Sequence, residues 1–191
     1  MAENEWGNPA PWGLAGVVAI VLLFGLHNDG VLPANEIPLL MGAGIGIGIA
    51  QLSTGYIALK RGNTPTGTLF GTFGALFVLA PPLMMFINAL GISGGLATLG
   101  YWDIMLGLFL WVWSIPLLRA PWFEFLIGPL GGLMLILSGI GSLYGSAMAT
   151  QLAAYLFYFF VFWGLYMMAH HLGNAAGFNI PAGRPVIPKE D

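Results

Sequence analysis

Polar and ionisable groups are scarce in this chain, so the few that interrupt its apolar stretches are the candidates for chemistry. The segment Asn8-Pro9-Ala10-Pro11-Trp12-Gly13-Leu14 stands where the first long apolar run begins. Asn is a good helix N-cap, and Pro at the first helical position gives up no needed hydrogen bond. A helix that starts at a membrane edge is expected to leave N–H groups and the positive end of its dipole open to a small anion. A plain cap is the alternative, and the residues alone favour it. Further along, His27 and Asn28 close the first run, Gln51 lies in the second, and Thr68 and Thr72 lie at the start of the third. Asn8, His27, Asn28, Gln51, Thr68 and Thr72 are the polar groups expected along a solute path. Gln51 and Thr72 suit helix–helix hydrogen bonds equally well.

Other chemistries find little footing. Asp29, Glu36, Asp103 and Glu124 all fall at predicted helix ends, so the buried acid of a proton relay is not expected. No Ser-His-Asp arrangement is readable, and His27, His170 and His171 have no metal-ligand partners at motif spacing. Cysteine is absent, which excludes a disulfide framework and thiolate sites. Neither an enzyme nor a metal or other cofactor is expected. His170 and His171 are read as closing the last helix, where a cation suits the dipole.

These residues must be positioned by elements that live in lipid. Of the 191 residues, 58% are apolar and 7% are charged, whereas a soluble domain carries about 25% charged residues. So few charges cannot cover a water-facing surface. A net charge of −3 and a few scattered basic residues leave no nucleic-acid patch. Met1 to Gly7 carries Glu3 and Glu5 and no basic residue, unlike a cleavable signal. Six runs approach the length of about 20 residues that crosses a bilayer. They are Trp12 to Leu26, Ile37 to Leu59, Leu69 to Leu90, Ile104 to Leu118, Phe125 to Leu143 and Leu152 to Ala169. Turn formers separate them at Asn28-Asp29-Gly30, Arg61 to Pro65, Gly94-Gly95 and Ala120-Pro121. The fold class expected is an all-α integral membrane protein with six transmembrane helices. One transmembrane domain is expected over residues 1–191, with a segment 1–8, a bundle 9–172 and an extended Gly- and Pro-rich tail 173–191.

Orientation follows from the basic residues. Lys60 and Arg61 lie between helices 2 and 3, Arg119 between 4 and 5, and Arg184 and Lys189 after helix 6. Six alternating helices put all of them on one side, so both termini are expected in the cytoplasm. Trp6, Trp12 and Trp122 are read as anchors at the inner interface, and Tyr101 and Trp102 at the outer one. Gly42, Gly44, Gly46 and Gly48 on helix 2, with Gly67, Gly71 and Gly74 on helix 3, read as small residues for close helix packing.

Asn-Pro-Ala-Pro-x-Gly-Leu at the head of the first helix resembles the signature of the acetate uptake transporter family. The similarity continues in order through Leu26-His27-Asn28 with Gly30, Gly48-Ile49-Ala50-Gln51 and Lys60-Arg61-Gly62-Asn63-Thr64. It runs from about Gly7 to Pro188 and weakens after helix 3. The resemblance implies a homohexamer in the plasma membrane of a prokaryote. Each protomer would carry acetate and related short monocarboxylates, succinate among the candidates. It also implies three bulky apolar residues that narrow the path, at positions matching Val17, Phe73 and Leu130. Val17 is smaller than the aromatic usual there, and Asp29 replaces an apolar residue. A carboxylic acid with a pKa near that of Glu, about 4.3, is only about 0.2% protonated at pH 7. Passage of the anion therefore needs polar stabilisation, whereas passage of the neutral acid has few molecules to work with. The alternative function is a channel for a neutral solute such as urea, because hexameric six-helix urea channels have similar length.

Overall fold

A computed structural model describes residues 6–92 and 95–188. Glu3 and Glu5, Gly94 of the Gly94-Gly95 turn, and Lys189 lie outside the described residues. Six helices are long and apolar enough to cross a membrane: α1 (Ala10–Asn28), α2 (Ile37–Lys60), α3 (Thr64–Ala89), α4 (Ala97–Leu117), α5 (Trp122–Tyr144) and α6 (Ala147–Ala175). Helices α4 and α6 outrun their apolar runs. Helical hydrogen bonding continues through polar residues such as Asp103 and His170, where hydropathy falls.

The helices form a ring. In contact order, α4 packs on α5, α5 on α6, α6 on α1, α1 on α2 and α2 on α3. The ring closes through a much looser seam between α3 and α4. Ile20, Leu106, Leu135, Phe157 and Phe160 are fully buried in its core. Leu39, Val112, Ile115 and Phe162 are exposed on its outside. Helices apolar on every face are the expected result of lipid on one side and protein on the other.

Proline decides the shape of α3. It is α-helical over Thr64–Phe73, π-helical over Gly74–Leu79 and α-helical again over Ala80–Ala89. Pro81 and Pro82 carry no N–H, so the chain cannot hold regular helical bonding ahead of them. In π register the partner of the Leu76 carbonyl is residue 81, a proline. The Trp102 indole on α4 takes that partner's place, its Nε1 donating to the Leu76 carbonyl at 2.6 Å. Near the other end of the seam, Trp113 Nε1 donates to the Pro65 carbonyl at 2.9 Å. Two tryptophans thus bolt α4 to α3 where packing is sparse. Trp102 is therefore a seam residue and not simply an interface anchor.

The glycines of α2 split into two sets. Gly44 and Gly48 face α3, against Val78 and Leu79, whereas Gly42 and Gly46 have no atom within 4 Å of an added Cβ. Two turns further along α2, a Cβ at Gly55 would lie 2.8 Å from the Gly71 Cα and 3.0 Å from the Gly67 carbonyl oxygen. Backbone cannot yield as a flexible side chain can. Gly55→Val is expected to force α2 off α3 and destabilise the fold by at least the roughly 1–3 kcal/mol of an overpacked core. A fluorescence thermal-shift measurement in detergent checks this; an unchanged melting temperature would contradict the α2–α3 contact. A comparable backbone approach joins α4 to α5, through Gly107 with Gly132 and Gly100 with Gly139.

Polar contacts tie the ends together. Asp29 accepts hydrogen bonds from Gln151 Nε2 at 2.6 Å and Tyr158 Oη at 3.3 Å, which braces the end of α1 against α6. The C-terminal tail is not an extended end. Trp122 and Phe123 N–H donate to the carbonyls of Arg184 and Ala182, Ile187 N–H donates to the Leu118 carbonyl, and Ala182 is buried. Pro121 and Pro185 face each other there as an isolated antiparallel bridge. His170 also differs from expectation. It sits within α6, whose last residue is Ala175, and its Nδ1 lies 2.5 Å from the Ile180 carbonyl of the tail.

Candidate functional site: three cavities along the ring axis

Lys60, Arg61, Arg119 and Arg184 gather at one end of the bundle, where α2 and α4 finish and the tail folds back. Lys60 Nζ lies 4.9 Å from the Tyr56 ring centre and 6.0 Å from that of Trp6, which places the N-terminal segment at this basic end. Three cavities follow one another from there to the far end.

The vestibule at the basic end has a volume of about 280 Å³ and is lined by Asn8, Asn63, Thr66, Glu124 and His171 among others. A neighbouring cavity of about 340 Å³ shares Asn8, Asn63 and Thr66 and adds Arg61. The heads of α1 and α3 meet here, each led by an asparagine and a nearby proline. Asn63 caps α3 by accepting from Thr66 N–H at 3.2 Å. Asn8 accepts from Ala10 N–H at 3.1 Å, and Pro9, not Asn8, is the N-cap. Trp12 and Gly13 N–H both donate to the Pro9 carbonyl, at 3.1 and 3.2 Å. Pro11 has no N–H. The expected open N–H groups at the head of α1 are therefore already engaged, and the cavities here are lined instead by the side chains of Asn8, Asn63 and Arg61.

The central cavity is a small apolar waist of about 50 Å³, room for no more than a few waters. All six helices line it. Val17 and Phe73 line it and Leu130 does not; α5 contributes Ile127, Met134 and Leu135. The weak similarity beyond helix 3 hid that register. Phe70 belongs to both the vestibule and the waist, and Phe77 to both the waist and the cavity beyond. Phe70 shares the floor of the waist with Leu14, Leu69, Ile127 and Trp163, whereas Phe77 is the residue common to the waist and the far-end cavity. The spacing of Phe70, Phe73 and Phe77 along α3 was visible in the sequence, but nothing there gave their direction. Gly13 explains part of the first motif, because a Cβ there would overlap the Phe70 ring.

Gln51 is the single polar side chain of the waist. It is 1% exposed and its Oε1 has no hydrogen-bond partner. Ser53 and Thr54 hydroxyls beside it donate to the Ala50 carbonyl, both at 2.9 Å, and so do not satisfy it. A buried amide without a partner is costly, and such a group calls for a role.

Thr68 and Thr72 do not reach the axis. They line a separate groove of about 240 Å³ in the α3–α4 seam, with Phe109, Val112 and Trp113. Phe73 and Leu69 form the wall between this groove and the waist.

The far-end cavity, about 50 Å³, holds His27 and Asn28 with Asp103, Ser138 and Ser142. The position of Asp103 corrects an expectation. It lies in the seventh position of α4, 6% exposed, and not at a helix end. Its apolar run starts only at Ile104, so hydropathy placed the helix boundary beside it. Glu124, by contrast, sits in the short first turn of α5, Trp122–Phe125, near the predicted boundary, and lines the vestibule.

Comparison with known proteins agrees with this fold. The chain matches the model of the GPR1/FUN34/yaaH family over residues 1–184. It is 30% identical over 202 residues to the succinate-acetate/proton symporter SatP of Escherichia coli K12, covering 98% of this chain and 97% of that protein. An uncharacterized protein of Methanothermobacter thermautotrophicus is 30% identical over 195 residues, covering 97% and 92%. The solved structure of the bacterial acetate channel SatP superposes with a TM-score of 0.81 at 25% identity, covering 97% of this chain and all of that one. The segment from Asn8 to Leu14, the six-helix ring and these matches lead to one conclusion: the chain belongs to the GPR1/FUN34/yaaH family of acetate uptake transporters.

Proposed function

We propose that this protein is a multi-pass membrane channel or transporter that passes acetate and related short monocarboxylates, with succinate within its range, along the axis of the six-helix ring. One observation carries the reading: a polar cavity at each end joined by an apolar waist that every helix lines. Its support in the relatives is the name of SatP as a succinate-acetate/proton symporter and as an acetate channel. Asn8, Arg61 and Asn63 receive the carboxylate at the basic end, with Pro9, Ala10 and Pro11 fixing the head of α1. Phe70, Val17, Phe73 and Phe77 strip water at the waist, where Gln51 offers the one replacement hydrogen bond. His27 and Asn28 receive it at the far end.

Urea is not favoured. It presents two amino groups and needs several acceptors at once, whereas the waist offers one side-chain amide. By the positive-inside rule the basic end faces the cytoplasm, with both termini, in the plasma membrane of a prokaryote. The outward glycines Gly42 and Gly46 and the apolar outer faces suit assembly of protomers into a homohexamer.

The direct test is flux into proteoliposomes made with the purified protein. Labelled acetate is expected to enter well above protein-free vesicles, with urea at background. Entry of urea without acetate, or of neither, would overturn the reading.

A further inference from the structure

Asp103 is a carboxyl buried within a membrane-spanning helix, and neither its family resemblance nor its position in the sequence singled it out. Among the described residues, the hydrogen bond it makes is donated by Ser138 Oγ to Oδ2 at 2.9 Å. No ion pair reaches it among the described residues. An ionised carboxylate in such a place, with one neutral donor, is strongly disfavoured against its protonated form. The elements packed around it are apolar or neutral apart from one group. Helix α3 presents Pro81 and Met85, α5 presents Ser138 and Ser142, and α6 presents Phe157. Helix α1 presents Asn28 and His27, the only titratable neighbour in the cavity, and His27 Nδ1 is itself buried without a hydrogen-bond partner. An acid able to hold a proton thus shares a small cavity with an imidazole that has a free ring nitrogen. The cavity adjoins the apolar waist at Phe77.

Resting on the reading of this chain as a carboxylate path, we propose that Asp103 is the proton donor that converts an incoming carboxylate into its neutral acid before the waist. The step is a simple transfer. The O–H bond of the Asp103 carboxyl breaks as an O–H bond forms on the substrate carboxylate. Asp103 is left as a carboxylate held by the Ser138 hydroxyl. The neutral acid passes Phe77 into the waist, where an anion would have lost its water for little return. A proton from water at the far end then restores Asp103 by way of His27. The device answers the supply problem at neutral pH, where only about 0.2% of a carboxylic acid of pKa near 4.3 is protonated in bulk.

The test compares acetate flux through the intact protein in proteoliposomes at two pH values, with protein-free vesicles subtracted. Asp103→Asn keeps the size of the side chain and an acceptor for Ser138 but cannot give up a proton. At pH 7 its flux per folded protein is expected to fall at least about tenfold below the unmodified chain. At pH 5 bulk water itself supplies about 17% neutral acid, and the two are expected to come within about twofold. Asp103→Glu is expected to restore flux at pH 7. An equal fractional loss at both pH values, or no loss at pH 7, would overturn the proton role. If Asp103→Asn does not fold, Asp103→Glu and His27→Gln carry the same comparison, and a flat pH response of His27→Gln relative to the unmodified chain would count against the relay. An unmodified chain that moves no acetate at either pH would instead overturn the transport reading itself.

Discussion

Gln51→Leu is expected to lower acetate flux by about twofold to tenfold while leaving the protein as stable as before, or more stable. The two effects have one cause. Gln51 is buried with its carbonyl oxygen unpaired and lines a waist otherwise apolar. Leaving a buried polar group unsatisfied costs about 1–3 kcal/mol, and an apolar group of similar shape removes that cost. Only the O–H of a neutral carboxylic acid can donate to that oxygen in the waist, a hydrogen bond worth about 0.5–1.5 kcal/mol, and each 1.4 kcal/mol is about tenfold in rate. Thermal unfolding in detergent and acetate flux per folded protein, measured on one preparation, check both halves. A loss of flux that merely follows a loss of melting temperature would make Gln51 a packing residue. Unchanged flux would remove it from the path.

The second large effect concerns size selection. Phe70→Ala is expected to raise the flux of a three- or four-carbon carboxylate relative to acetate on the order of tenfold or more. Phe70 is 4% exposed and is the one aromatic ring of α3 shared by the vestibule and the waist. A tight apolar passage discriminates against one extra methylene by about 1–3 kcal/mol. Removing the ring joins a cavity of about 50 Å³ to one of about 280 Å³ and relieves that discrimination. Phe73→Ala should act in the same direction but less, because Phe73 stands in the side wall against the seam groove and not in the floor. Truncating a buried Phe costs about 3–5 kcal/mol in a soluble core, so flux must be normalised to folded protein in the membrane. An unchanged substrate ratio for Phe70→Ala would mean that the ring does not gate the path.

Much of this protein was decided by its sequence alone. Apolar run lengths set the number of helices, because a bilayer core of fixed thickness accepts helices of one approximate length. The segment from Asn8 to Leu14 pointed to the family, and Val17, Phe73 and Gln51 line the central cavity while His27 and Asn28 line the far-end one. Tertiary structure alone decided the remainder, for reasons that can be traced to particular residues. In helices hydrophobic all round, no amphipathic stripe marks which face turns inward. Thr68 and Thr72 therefore read like path residues but face the seam, and the resemblance matched Leu130 on α5, where Ile127, Met134 and Leu135 line the waist. The π turn over Gly74–Leu79 changes the angular spacing along α3, so the positions of Phe73 and Phe77 cannot be extrapolated from one another at the ordinary helical period. Asp103 was hidden for a different reason: hydropathy ends a membrane segment at a charge, whereas the backbone continues its hydrogen bonds through it. Spacing along one helix is a local property. Which groups from six helices meet around one axis depends on how each helix is rotated against its neighbours, and contacts such as Gly55 on Gly71 and Trp102 on the Leu76 carbonyl fix that rotation.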